Sequence, residues 1–286
     1  MAGSVRQLKH TRALERERWH NTLIAGGRKD GKALSARTVG HAHRLLGKAL
    51  QEAVKHCLIV KNAASLEKPP KVDEEEVQII AADRLGELLD RVAGHRLYPY
   101  VVLALFCGLR RAEVVALRWA HVDLEHKILK VREAIEETDA YGKRVKAPKS
   151  KAGKRDLVMP DIVVEALRKH RQAQLEQRLK LGMGKPADSD LLFPGDLEGG
   201  LLSLQWLGNS WGAFAKMIGM PDIKFHALRH THASQLIAAG VDVVTVSKRL
   251  GHAKPTTTLN IYAHLYQQKD DRAAAAVNEA LAKIGR

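Results

Sequence analysis

Cysteine is scarce in this chain of 286 residues, which holds only Cys57 and Cys107. There is no CxxC pair and no zinc-finger spacing, which excludes a disulfide-stapled scaffold and a cysteine-ligated zinc fold. Each cysteine sits in an apolar helical context, so both are expected to be buried free thiols. Long apolar runs are missing too. None reaches the roughly 18 residues of a membrane span. The longest, YPYVVLALFCGL at 98–109, is interrupted by Pro99 and Gly108. The N-terminal residues are charged (RALERERW) where a secretory signal would be apolar. No repeat of 20–50 residues is visible. The expectation is a cytoplasmic protein with no membrane partner.

Acidic charge is also short. Asp and Glu number 32 against 47 Lys and Arg, for a net charge of +15 and a pI near 9.9. Residues 1–70 hold 14 Lys+Arg against 5 Asp+Glu, so +9 of the surplus lies there. A surface of this sign recruits polyanions, nucleic acid foremost, although charge alone does not separate DNA from RNA or anionic lipid. Hydrophobic residues at 45% are enough to bury a real core.

Helical patterning dominates. Ser35 is a candidate N-cap, and Val39, Leu46, Leu50, Ala53 and Cys57 follow at helical spacing. The stretch NAASLEKPPKVDEEE (62–76) has two prolines, loses apolar periodicity and switches charge sign. It divides the chain into a helical domain at 1–66, a linker at 67–76 and a second domain at 77–286. In the second domain HKILKVREAIEE (126–137) reads as a strand. GKRVKAPKSKAGKRDLVMP reads as a hairpin with a lysine-rich tip, and a long helix is expected to start at Asp161, capped by that aspartate. Further helices are expected at 203–219, 226–239, 242–250 and 256–265. An amphipathic stretch over 270–286 carries Val277, Leu281 and Ile284. The fold class is mainly α with a small antiparallel β-sheet, in two domains.

The chemistry-bearing residues lie in FCGLRRAEVVALRW, FHALRHTHASQLIAAG and RLGHAKPTTTLNIYAHL. Arg110 follows Gly108 at a helix junction. His226 and Arg229 are three apart on one helix face. His252 follows a glycine at a helix end, and Tyr262 lies on the next helix. Cutting a phosphodiester with tyrosine needs such a set. Only about one phenol in a thousand is ionised at pH 7, so a base or cationic surroundings must help it. Arginine forks match the nonbridging oxygens of the transition state, and the departing oxygen needs a proton from lysine or histidine.

Taken singly, each residue has a plainer reading. Arg110 pairs with Glu113, Arg229 caps a helix, and Tyr262 belongs to the core, with Tyr266 and Tyr141 as rival phenols. The His226/His230 pair at i, i+4 invites a metal, yet lacks the glutamate that follows the first histidine of a metalloprotease helix.

In combination and order, GLRRAEVVALRW, HALRHTHASQLIAAG, LGH and TTTLNIYAH resemble the tyrosine recombinase (phage integrase) family, over Leu34 to Leu265. The resemblance implies a DNA breaking-rejoining catalytic fold behind a helical core-binding domain. It implies site-specific recombination, as in DNA integration by mobile elements, through a 3′-phosphotyrosyl intermediate. The partner implied is double-stranded DNA with a specific site, bound by a homotetramer without metal or other cofactor in a nucleoid-associated location. By motif, Arg110 and Arg229 resemble the phosphate-clamping arginines, Tyr262 the nucleophile, His226 a base or phosphate ligand, and His252 a further phosphate ligand. Glu113 resembles the support of the first arginine. The hairpin lysine, the general acid, falls on Lys149, with Lys151 as runner-up. Lys143, Arg144, Lys146, Lys151 and Lys154 of the hairpin, with Arg37 and Arg44 of the first domain, are candidates for DNA contact. Many relatives carry a further arm-binding domain, and none is expected here. A non-cleaving DNA-binding relative and a type IB topoisomerase are the alternatives.

Overall fold

The structure, a computed structural model, describes residues 19–72, 77–148, 151–266 and 270–284. The chain divides into two compact units, 1–76 and 77–286.

In the first unit a helical segment at 19–26 precedes α1 (Ala36–Lys55). Ser35 caps α1, its side-chain oxygen accepting the Thr38 amide at 3.2 Å. At the other end Cys57 takes φ 55, and the Leu58 amide closes back onto the Ala53 carbonyl at 2.9 Å. This is the left-handed helix stop usually given to glycine. The stop explains why Cys57 is exposed rather than buried: the helix ends before its side chain can continue the apolar stripe. Cys107 is buried, as its context predicts. Arg37, His41, Arg44 and Lys48 are all exposed on α1 at spacings of three and four.

The second unit is built round α3 (Tyr98–Cys107), which is apolar on every side. Pro99 sits in its first turn, where a missing N–H costs nothing. Eight of its ten residues are buried, and each fully buried large aliphatic contributes about 1.5–3 kcal/mol. Before it stands α2 (Ala82–Val92), burying Leu85, Leu88 and Val92. After it comes α4 (Arg111–Val114), a single turn. Then α5 (Asp161–Lys180), α6 (Leu204–Met217), α7 (Phe225–Ala238), α8 (Val243–Leu250), α9 (Pro255–Tyr266) and α10 (Asp270–Lys283) follow. Both α5 and α7 pack against α3, while α8 and α9 pack on each other and on α7. The residue before α5 is Pro160. Asp161 does not cap the helix but binds Lys127 at 2.6 Å.

The β-structure departs from a single lysine-tipped hairpin. β1 (Val122–Asp123), β2 (Ile128–Val131) and β5 (Arg155–Val158) form one antiparallel sheet, with Val131 opposite Arg155. β3 (Ala134–Thr138) and β4 (Gly142–Lys146) form a separate hairpin, with Thr138 opposite Gly142. The Thr138–Gly142 turn is therefore the tip, and Lys143, Arg144 and Lys146 lie along a paired strand.

Candidate active site

Two left-handed glycines fix the site. Gly108 (φ 66) ends α3, and Gly251 (φ 69) ends α8. Both also admit close neighbours. A Cβ on Gly108 would lie 2.6 Å from a His232 ring carbon, and one on Gly251 would lie 2.7 Å from Arg155 Nη1. The turn at Gly108 buries Leu109 and brings Arg110 to the N-cap of α4.

The last carbonyls of a helix lack intrahelical partners and carry its negative dipole end, so they attract cations. At the end of α8, guanidiniums from three distant stretches answer three successive carbonyls. Arg155 Nε donates to Arg249 O at 2.7 Å, Arg229 Nη2 to Leu250 O at 2.6 Å, and Arg110 Nη2 to Gly251 O at 3.3 Å. Arg229, on α7 and buried, also donates to the Gly108 carbonyl.

Glu113 ties the rest together. The Arg110 amide donates to Oε2 at 2.9 Å and Arg110 Nη1 to Oε1 at 2.8 Å, while Arg155 closes a fork at 3.1 and 2.8 Å. Burial on its own would raise this carboxyl. The bonds from Arg155, with the Arg155 and Arg110 charges, override it and hold the group at about 2. Arg249 donates to His232 Nε2 at 3.0 Å and to the Phe106 and Val158 carbonyls. Among the described residues, the hydrogen bonds of these four guanidiniums reach one carboxylate, Glu113. Burial and Arg110 lower Arg229 to about 9, still protonated at neutral pH. The site therefore carries uncompensated positive charge.

The surrounding imidazoles add none at neutral pH. Burial, and then Arg229, hold His252 at about 4. Its Nε2 faces Arg229 Nη2 at 3.0 Å and its Nδ1 faces Thr258 Oγ1 at 2.9 Å. Because arginine only donates, Nε2 is the acceptor and Nδ1 carries the proton. Burial and the Arg249 charge hold His232 at about 3. His226, exposed at the rim, is also lowered by desolvation and by Arg229. Its ring meets that of His230 edge-on, 4.6 Å between centroids.

Tyr262 is 1% exposed, on α9 among Ala233, Ile237, Val246 and Leu250. Burial pushes its phenol up to about 12 against the pull of Arg229. The oxygen lies 2.6 Å from His230 Nδ1.

The chain matches known proteins along most of its length. Residues 72–269 match the phage integrase family. The chain belongs to that family. The enzyme is a tyrosine recombinase. It is 28% identical over 291 residues to a XerC-like tyrosine recombinase of Caldanaerobacter subterraneus, covering 94% of this chain and 71% of that protein. It is 24% identical over 250 residues to the ICEBs1 integrase of Bacillus subtilis, covering 87% and 67% respectively. The putative prophage phiRv2 integrase of Mycobacterium tuberculosis is 25% identical over 264 residues, and the chain spans 65% of its length. In fold the chain resembles the Tn1549 transposon integrase in complex with transposon right end DNA, with a TM-score of 0.71 at 23% identity over 87% of this chain and 80% of that one.

Of the residues singled out in the recombinase sequence, Arg110, Glu113, Arg229, His252 and Tyr262 come together, with His226 at the rim. Lys149 lies outside the described residues, and the side chain of Lys151 is likewise not described. The cations of β4 are already engaged. Arg144 and Lys146 bind Glu136 at 2.6 and 2.7 Å, and Lys143 donates to the Leu201 carbonyl at 2.6 Å. Lys154 is exposed. No group of three or more His, Cys, Asp or Glu among the described residues is placed to hold a metal.

Three further participants carry little signal in the sequence. His230, the second histidine of HALRH, suggests a metal ligand there. Arg155 looked like one more hairpin cation, and Thr258 like one threonine of three. Only the fold shows that these side chains face the site.

Proposed function

We propose that this recombinase cuts DNA at a specific site and rejoins it through Tyr262. The observation that carries the proposal is the convergence of Arg110, Arg155 and Arg229 on the last turn of α8 with one carboxylate between them, beside the phenol. A phosphodiester entering there would meet fixed donors for the extra charge of its transition state, each worth about 3–4 kcal/mol in a comparable site. Arg110 and Arg229 clamp the nonbridging oxygens, and His252 joins them once Nε2 turns from Arg229 to the phosphate. The Tyr262 Oη–phosphorus bond forms as the phosphorus–O5′ bond breaks. The phenol loses its proton to a base, and the 5′ oxygen takes one from a general acid, for which Lys149, then Lys151, is the candidate. The phosphotyrosyl ester conserves the bond energy, so the hydroxyl of a partner strand can reverse the step without ATP.

The phenol is shut away in the free chain, so attack requires α9 to turn it toward the phosphate. That burial keeps an unassembled enzyme from cutting DNA. Residues 1–66 serve as the core-binding domain, with Arg37 and Arg44 on the exposed basic face of α1 toward the DNA backbone. Residues 67–76 serve as linker, and 77–286 as the catalytic domain. The working form is a tetramer on two sites, with 270–286 docking on a neighbouring subunit, in the nucleoid-bearing cytoplasm.

The test is Tyr262→Phe. Duplexes selected from a randomised pool by binding to this variant are nicked and offered to both proteins. The wild type should form an SDS-stable adduct and the variant should bind without one. An adduct on the variant would refute the assignment. Plasmid relaxation without any site requirement would mark a topoisomerase instead.

A further inference from the structure

Among the described residues, the phenol of Tyr262 has one polar side-chain contact in its pocket, and it is not the histidine of the HxxR motif. His230 Nδ1 sits 2.6 Å from Tyr262 Oη, with the rings 5.8 Å apart at 61°. His226, one helical turn earlier, stands edge-on against the His230 ring, 4.6 Å between centroids. The order is His226, His230, Tyr262, running from the solvent-exposed rim to the buried phenol.

Resting on the assignment of Tyr262 as nucleophile, we infer that His230 is the residue that orients this phenol and takes its proton during cleavage, with His226 as its neighbour on the solvent side. The step balances. The phenolic proton passes to Nδ1 as the Oη–phosphorus bond forms and the phosphorus–O5′ bond breaks, and the leaving oxygen takes its proton from the general acid. In the reverse reaction the imidazolium returns the proton to Oη.

Three features support the assignment. The distance is that of a strong hydrogen bond, within the reach a general base requires. His230 is fixed in tilt by the His226 ring and lies on the same rigid helix as Arg229, so phosphate clamp and base move as one body. Burial, the neighbouring His226 and the Arg229 charge hold His230 at about 4, so at neutral pH Nδ1 is free to accept the phenolic hydrogen. A phosphodiester bound to Arg229 would offset the cationic charge that depresses His230, raising its basicity as the substrate arrives.

The experiment uses the full chain and the selected nicked duplexes, with covalent adduct formation followed from pH 5.5 to 9. His230→Asn places an oxygen near the position of Nδ1, so it can hold the phenol but cannot carry its proton. Its DNA binding should stay within a few-fold of wild type, while its rate falls by about 100- to 10,000-fold. Its rate should also climb with pH where the wild type has levelled off. Added imidazole should restore adduct formation to His230→Ala. A His230→Asn rate within threefold of wild type, an unchanged pH profile, or a faster reaction would overturn the proposal. So would the same loss of plateau in His226→Asn with His230→Asn unaffected. An adduct that survives Tyr262→Phe would point instead to failure of the nucleophile assignment on which the inference rests.

Discussion

Replacing Glu113 by glutamine tests whether one carboxylate holds the phosphate site together. The side chain is buried and accepts four hydrogen bonds, two from Arg110 and two from Arg155. Glutamine keeps the shape and one acceptor oxygen but removes the charge between guanidiniums. The carboxyl stands at about 2 against an ordinary 4.5, a displacement equivalent to about 3 kcal/mol. Breaking a buried ion pair by removing one partner costs a similar amount, about 3–5 kcal/mol. The expected loss at pH 7 is therefore about 3 kcal/mol. Its pH dependence has a definite sign. The folded-state value lies below the unfolded one, so the stabilisation is full above pH 4.5 and disappears as pH falls toward 2. Urea unfolding of wild type and Glu113→Gln at pH 7, 5 and 3.5 should show a gap that narrows at the lowest pH. A gap under about 1 kcal/mol at pH 7, or one that stays constant to pH 3.5, would refute the reasoning.

Other expectations follow from the same geometry. Arg229→Lys cannot serve the Gly108 and Leu250 carbonyls and His252 together, so adduct formation should slow about 100- to 1,000-fold. DNA affinity, measured by gel shift, should change only a few-fold. His232 stands at about 3 in the folded chain, so its unfolded form takes up the proton first and stability is full only above pH 6.5. Acidification from pH 7.5 to 5 should remove about 2 kcal/mol through this residue alone, and the fall in urea midpoint should be shallower in His232→Gln. Gly108→Ala puts a methyl 2.6 Å from the His232 ring, whereas Gly94→Ala, at a similar positive φ, meets nothing within 4 Å. The first should cost about 3 kcal/mol and the second about 1 in the same unfolding assay.

Much of the fold was legible because its signals are local. Ser35 announces α1, Gly108 ends the all-apolar α3, and the Pro69–Pro70 stretch lies close to the division between the compact units. What was misread depends on partners far along the chain. The strand pattern of 126–158 is compatible with one hairpin or two, and only the pairing of Val131 with Arg155 shows that β3 and β4 leave that sheet and pair with each other. Lys143, Arg144 and Lys146 read as free cations for DNA contact until Glu136 and the Leu201 carbonyl are seen beside them. Cys57 continues the apolar stripe in sequence, yet the helix stops in a left-handed turn at that residue. In the site, motif order found the arginines, His252 and Tyr262. It missed His230 and Arg155, whose parts are set by contacts 32 and 42 residues away.

The account stands or falls on which oxygen takes the DNA. Wild-type enzyme trapped on a selected nicked duplex, digested and sequenced by mass spectrometry, should carry its nucleotide on the peptide containing Tyr262 and on that residue. A nucleotide on Tyr266 or Tyr141, or on a serine, would contradict it.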